Sequence, residues 1–294
     1  MTNADAGTRT VRARDAEFSY LEAGSGPPLV LLHGIGSAAA SFRCQLDTLS
    51  ARFRVLAWDA PGYGASTPLA TEHPGANHYA AALDAWLTAL GVDRCHVVGH
   101  SLGTLIAARF SAEQPKRVLS LTLASIAKGH GELPPAERQR LLARRLDDLA
   151  ELGPHGMAAK RGPRLLGPAA TEEMQRMVVA TMARTHPDGY AQAARLLSTG
   201  DITADLARLP AGLPIQVIVG EADVITPPAT CREIAAACSV ASMHVISGAG
   251  HAVYLEEPQQ FNRLLADFAA AYAAAKRRAV LALSSAIVPP VFLF

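Results

Sequence analysis

Cys95-His96-Val97-Val98-Gly99-His100-Ser101-Leu102-Gly103-Thr104-Leu105-Ile106-Ala107-Ala108 is the stretch whose reading decides the fold. An apolar, strand-like run ends in Gly-His-Ser-Leu-Gly and passes directly into an Ala/Leu-rich helix. This is G-x-S-x-G in the strand–turn–helix setting that gives the motif its meaning. A serine on so sharp a turn is expected to be strained, with its hydroxyl presented outward. Gly99 and Gly103 lack Cβ, so strand and helix can approach there. The N-terminus of the helix beneath Ser101 favours negative charge developing nearby. Ser101 is therefore the candidate nucleophile.

A serine hydroxyl needs a base, and the base needs an orienting group. Pro214-Ile215-Gln216-Val217-Ile218-Val219-Gly220-Glu221-Ala222-Asp223 reads as a buried strand followed by a turn carrying Asp223. Met243-His244-Val245-Ile246-Ser247-Gly248-Ala249-Gly250-His251 reads as another strand and a Gly-rich turn carrying His251. Three polar residues thus fall just beyond the C-terminal ends of three strands, the edge where open α/β sheets bind ligands. Upstream, Pro28-Leu29-Val30-Leu31-Leu32-His33-Gly34-Ile35-Gly36 is a strand ending in an H-G-x-G turn. Acyl transfer develops an oxyanion that preorganised donors must hold. The backbone N–H groups of Leu102 and Ile35 are the expected pair.

With these residues in view, the chain resembles the α/β-hydrolase family, in its esterase, lactonase and C–C hydrolase group. The resemblance rests on His33-Gly34-Ile35-Gly36, Asp59-Ala60-Pro61-Gly62-Tyr63-Gly64-Ala65-Ser66, Gly99 to Gly103, Gly220-Glu221-Ala222-Asp223 and Gly250-His251. It covers most of residues 28–275. It implies Ser101 as nucleophile, Asp223 as acid and His251 as base. Glu221 is a rival acid two residues away. The family's acid is the Asp of Gly-x-x-Asp, which favours Asp223. Some relatives carry the acid after the preceding strand, but Ser125-Ile126-Ala127-Lys128 offers no carboxylate.

The composition sets bounds. The chain has 294 residues, half of them hydrophobic and 18% charged, with a formal net charge of +1. That balance argues against a nucleic-acid partner, which asks for a basic patch and a high pI. Cys44, Cys95, Cys231 and Cys238 are scattered without metal spacing and read as reduced thiols. No metal or other cofactor is expected. The polar start, Met1 to Arg14, has no apolar signal region, and a cytoplasmic protein is expected.

Strands are expected at 28–33, 53–59, 95–99, 118–124, 214–219 and 243–247, after a strand pair within 9–23. Helices are expected between them at 38–50, 77–90, 102–113, 228–238 and 258–275. Such alternation gives an α/β fold with a mostly parallel sheet flanked by helices. Leu83, Trp86, Leu87 and Leu90 share one helical face, which places Trp86 in the core. Between 126 and 212 the alternation stops. Helical segments near 135–151, 171–185 and 188–198 are punctuated by Gly153-Pro154, Gly162-Pro163, Gly167-Pro168 and Pro187. The resemblance implies a helical cap at this insertion point. The expected organisation is a core of 1–125 and 212–275, a cap of 126–211 and an apolar tail of 276–294. The tail is shorter than the ~20 residues a membrane span needs and carries Pro289-Pro290. It reads as packed on its own subunit or on a neighbouring one, as in a homodimer.

The pocket is expected to be bounded by His33, Gly34, Ile35, His100, Leu102 and Val253 from the core. His33 and His100 flank functional turns and read first as histidines bonding their own loops. Leu141, Leu142, Leu146 and Leu149 at helical spacing suggest a cap face laid on the main domain. Lys160, Arg161 and Arg164 lie in the cap. A solvated cationic face is the preferred reading, and an arginine fork on a substrate carboxylate is the alternative.

The expected activity is hydrolysis of a small-molecule ester or lactone through an acyl-enzyme. Ser101 replaces the carboxylate nucleophile of epoxide hydrolases and dehalogenases. C–C hydrolases of the group often carry Asn before the serine and Trp after the histidine, where this chain has His100 and Ala252. C–C hydrolysis therefore stands as an alternative, with acyl transfer to another nucleophile and non-catalytic ligand binding beside it.

Overall fold

The apolar runs assemble into one eight-stranded sheet in a computed structural model that describes residues 7–238 and 242–286, with 273–286 as backbone only. The strands are β1 Arg9–Ala13, β2 Ala16–Ala23, β3 Pro28–Leu32, β4 Arg54–Trp58, β5 Cys95–His100, β6 Val118–Ala124, β7 Ile215–Gly220 and β8 Ser242–Ile246. Their spatial order is β1-β2-β4-β3-β5-β6-β7-β8. β1 and β2 pair antiparallel, as do β2 and β4; every other pairing is parallel.

Strands buried on both faces carry continuous apolar runs rather than alternating ones. β5 and β7 fit, with every residue buried. Side chains still alternate across the sheet, and they sort into two cores. Val30, Leu32, Leu56 and Trp58 point to one face, where α2 (Ala76–Ala89) and α3 (Leu102–Glu113) contribute Trp86, Leu105 and Phe110. Leu29, Leu31, Val55 and Ala57 point to the other, where α1 (Arg43–Leu49) and α10 (Pro258–Ala286) contribute Leu46, Phe261 and Leu265. Trp86 is fully buried.

The strand order fixes where a site can form. From β3 the chain steps to β4 on one side and then crosses back to β5 on the other. Between β3 and β5 the connections diverge and leave a crevice at the strands' C-terminal ends. The H-G-x-G turn and Ser101 are the residues that follow those two strands.

Between β6 and β7 the chain leaves the sheet for α4 (Pro135–Arg161), α5 (Glu172–Ala183), α6 (Pro187–Thr199) and the short α7 (Ile202–Leu206). α4 runs ten residues beyond the expected end at 151. The expected break is real, because Gly153 leaves the helix at φ 61°, ψ 179°, but helix resumes after Pro154. The left-handed φ suits glycine, and proline is tolerated where a helix restarts. The leucine stripe of α4, expected to be laid on the sheet domain, does not lie mainly there. Leu142, Leu146 and Leu149 pack on Met157, Tyr190 and Ala194 of the same inserted segment, with Ile35 reaching them from the core. The chain returns through β7 to α8 (Pro228–Ala236) and, after β8, the short α9 (Val253–Glu256).

α10 also outruns its expected end at 275 and reaches Ala286, so the first part of the 276–294 tail is helical; residues 287–294 lie outside the described residues. Among the described residues no helix is long and apolar enough to cross a membrane.

Candidate active site

Ser101 caps the N-terminus of α3 with φ 52° and ψ −120°, a left-handed conformation uncommon in a residue with a side chain. The surrounding backbone enforces it. The Ser101 N–H bonds to Ala124 O at 2.9 Å, and Thr104 donates to Ser101 O through N–H (2.9 Å) and Oγ1 (2.6 Å). The turn closes so tightly that a Cβ on Gly103 would lie 2.2 Å from Leu32 O. The Ser101 hydroxyl itself takes no hydrogen bond from any described residue and borders a cavity of about 440 Å³. Strain kept at such a residue is a pointer to function.

His251 borders the same cavity, with Asp223 buried behind it. Asp223 Oδ2 lies 2.9 Å from His251 Nδ1, and both side chains are almost fully buried. The loop after β7 wraps the carboxylate. The N–H groups of Ile225 and Thr226 donate to Oδ1 at 2.9 Å each, and Thr226 Oγ1 donates to Oδ2 at 2.8 Å. Burial pushes the Asp223 carboxyl up, but hydrogen bonding and charge from His251, with the Thr226 donors, outweigh it and hold the pKa at about 2. Asp223 is therefore an anion at neutral pH. As acceptor for the Nδ1 proton it leaves Nε2 as the basic nitrogen. The rival Glu221 is exposed and accepts from Ser247 Oγ (2.7 Å) and the Gly248 N–H (3.0 Å), away from the imidazole.

The His251 backbone is held as well. Its carbonyl accepts from His100 Nε2 at 2.8 Å and from Ser125 Oγ at 3.3 Å. Burial drives the His100 pKa down to about 3, so the ring is neutral. With its one proton on Nε2, its Nδ1 is a bare acceptor, and that atom is buried without a partner among the described residues. Ser125 is a second strained residue, at φ 48°. Sequence reading considered Ser125 only as the place where a carboxylate was missing, and it did not find Thr226. An Asp followed three residues later by Thr was the available signal for such a local network.

Glu256, also unforeseen, ties the inserted segment to the histidine loop. Its Oε2 accepts from the Gly167 N–H at 2.6 Å and its Oε1 from the Gly250 N–H at 3.0 Å. Leu165 O accepts the Ala252 N–H at 2.8 Å alongside. Burial raises the Glu256 carboxyl pKa against the pull of these donors.

The H-G-x-G turn closes the other side. The Ile35 and Leu102 N–H groups make no backbone hydrogen bond among the described residues, and both residues border the cavity. Leu102 opens α3, so its N–H is free for want of an upstream carbonyl. Gly34 lies against Ser101: a Cβ there would stand 2.9 Å from Ser101 Cβ and 3.4 Å from Oγ.

Gly34, Ile35, His100 and Leu102 border the cavity, as the pocket reading expected; Arg161 and Arg164, read first as a solvated face, border it too. Two residues do not. His33 turns away: its Nε2 accepts from the Ala60 N–H at 3.0 Å, its Nδ1 donates to Gly34 O at 2.8 Å, and it braces the turn rather than lining the pocket. Val253 is fully buried in the core around α10, because α9 turns its side chain inward. Tyr254 and Leu255 line the cavity in its place.

A strained serine and a buried Asp–His pair thus meet at the switch point of a doubly wound sheet. The family model for the alpha/beta hydrolase fold matches residues 27–258, and the chain belongs to that family. It is a hydrolase. The chain is 29% identical over 272 residues to 2-hydroxy-6-oxononadienedioate/2-hydroxy-6-oxononatrienedioate hydrolase 2 of Pseudomonas putida, covering 86% of this chain and 92% of that protein. It is 27% identical over 252 residues to the pimeloyl-(acyl-carrier protein) methyl ester esterase of Vibrio parahaemolyticus, covering 84% and 95%. A thermophilic esterase from Thermogutta terrifontis shares the fold with a TM-score of 0.81 at 23% identity, over 91% of this chain and 99% of that one.

Proposed function

We propose that the chain is a serine hydrolase that cleaves a carboxylic ester or lactone of a small molecule through an acyl-enzyme on Ser101. One observation carries this reading. A free Ser101 hydroxyl, the Asp223-oriented His251 ring and two unclaimed N–H groups border one cavity. Those are the nucleophile, base and oxyanion donors that acyl transfer asks for.

The steps follow. His251 Nε2 takes the Ser101 proton as Oγ bonds to the substrate carbonyl carbon. The carbonyl oxygen becomes an anion facing the Ile35 and Leu102 N–H groups. Asp223 holds the imidazole tautomer and steadies the imidazolium. The tetrahedral species collapses, the alkoxide leaves with the proton from His251, and Ser101 keeps the acyl group. Water gives its proton to His251 and its hydroxyl to the acyl carbon; the second tetrahedral species breaks its bond to Ser101 Oγ, which takes the proton back from His251, and the acid departs. The helices of 126–211 act in this reading as a cap that excludes bulk water. The methyl ester esterase of Vibrio parahaemolyticus supports the ester reading by its similarity. Similarity to the Pseudomonas putida hydrolase favours C–C cleavage as a second reading.

Stopped-flow hydrolysis of p-nitrophenyl acetate tests the proposal. A p-nitrophenolate burst close to one per active site, absent in Ser101→Ala, is expected. Turnover retained by Ser101→Ala contradicts it.

A further inference from the structure

The chain as a whole is nearly neutral, with 27 Lys and Arg against 26 Asp and Glu. The cavity above Ser101 departs from that balance. Lys128, Arg145, Arg161 and Arg164 line it, and no aspartate or glutamate does among the described residues. Lys128 is neutralised at the rim by Glu132 at 2.6 Å. The arginines are not fully neutralised. Arg161 pairs through Nη2 with Asp148, but that one carboxylate also holds Lys160 at 2.9 Å, so two cations share one anion. The Arg161 Nε is buried and has no acceptor among the described residues. Arg145 and Arg164 have no ion pair among the described residues.

A buried N–H without an acceptor is costly, and it is relieved by a ligand that brings one. A guanidinium presents a planar set of donors that fits a carboxylate with two parallel hydrogen bonds. The three arginines all come from α4 and the turn after it, whereas the nucleophile and oxyanion donors come from the sheet edge. Ile35, Val178, Met182 and Leu197 also line the space and are apolar. A cavity of this size encloses one small molecule.

We infer that the site takes an anionic substrate. It is an ester or lactone whose acyl part is an apolar chain or ring ending in a free carboxylate, held by Arg161 together with Arg145 and Arg164. This inference rests on the acyl-transfer reading for the reaction, but the anion subsite is a separate feature and can be tested apart from it.

Two measurements do so. In the first, kcat/KM is compared for mono(p-nitrophenyl) adipate and p-nitrophenyl hexanoate, which differ in the terminal carboxylate. The anionic ester is expected to be preferred by about ten-fold or more, the scale of a charge-assisted hydrogen bond. Arg161→Ala and Arg164→Ala bring the ratio toward one, and 0.5 M NaCl reduces it. Arg144→Ala, an exposed α4 arginine outside the cavity lining, is the charge-matched control and keeps the ratio. A ratio near one in the wild type, or one reduced equally by Arg144→Ala, overturns the inference. In the second, adipate and 1,6-hexanediol are titrated calorimetrically into Ser101→Ala, which needs no chemistry. Adipate binding at least ten-fold tighter than the diol, weakened by an added Arg164→Ala, supports the subsite even if the acyl-enzyme is never seen. Equal affinity for the two overturns it, even if ester hydrolysis proceeds.

Discussion

Asp223 Oδ2 and His251 Nδ1 stand 2.9 Å apart with both side chains nearly excluded from solvent, although 28 residues separate them in the chain. The pair is built from two adjacent parallel strands, β7 and β8, each ending in a turn at the same sheet edge.

Asp223→Asn is expected to lower kcat by about 10⁴-fold, because an amide can donate to Nδ1 and favour the wrong imidazole tautomer. Glu221→Gln is expected to cost little, since Glu221 serves only Ser247 and Gly248 at the surface. Steady-state kinetics of the two variants checks this, and a greater loss for Glu221→Gln reverses the assignment of the acid.

Gly34→Ala places a methyl group 2.9 Å from Ser101 Cβ. Either the turn carrying the Ile35 N–H or the serine must move. A displaced oxyanion donor is worth about 10²–10³ in kcat. The variant is expected to fold, to lose rate on that scale and to keep KM within a few-fold. Wild-type kcat in a folded Gly34→Ala protein removes Ile35 from the oxyanion hole.

Glu256→Gln replaces one of the two acceptors that join Gly167 to Gly250 with an NH₂ group facing an N–H. Stability should fall by about 1–3 kcal/mol, the cost of an unsatisfied buried donor. The loss should extend to kcat because Gly250 adjoins His251. Thermal denaturation with parallel kinetics checks it; an unchanged Tm places no energetic weight on the bridge.

Buried histidines set an acid limit on stability. Burial lowers His33, drives His96 down to about 4 and His100 to about 3, so the fold holds all three neutral. An unfolded histidine takes its proton near pH 6.5. The unfolded state therefore binds more protons below that pH, and stability falls as the pH drops from about 6.5 toward the folded values. Tm should decline over this range, and His96→Gln should shallow the slope. His96 is the suitable choice because it lies outside the cavity lining; among the described residues its side chain bonds Ser120 Oγ (2.8 Å) and packs edge-on against Phe53 and Tyr272. A slope unchanged in His96→Gln shows that other groups set the limit.

The fold was legible because its signals are local. The strand before Ser101, the glycines beside it and the Ala/Leu helix after it are contiguous in sequence, and the alternation of strands and helices gave the sheet. Asp223 and Glu221 could not be separated on residues alone, because both leave the same strand. Only three-dimensional closure shows that the Thr226 loop wraps one carboxylate and leaves the other at the surface. The Glu256–Gly167 bridge spans 89 residues and has no spacing to betray it. The leucine stripe of α4 announced a buried face without naming what buries it, and the partner proved to be α6 of the same segment. Arg161 and Arg164 read first as solvated surface, and Arg164 is exposed and Arg161 partly so; that both also border the cavity is a matter of three-dimensional closure that a charge run does not record.

The central claim is that Ser101 carries the acyl group. Intact-protein and peptide mass spectrometry after treatment with a fluorophosphonate tests it most directly, with loss of p-nitrophenyl acetate turnover followed in the same samples. A single phosphonyl adduct on Ser101 is expected, with inactivation in proportion to labelling, slowed in Asp223→Asn and absent in Ser101→Ala. Adduct on another residue, or full inactivation with Ser101 unmodified, contradicts the account.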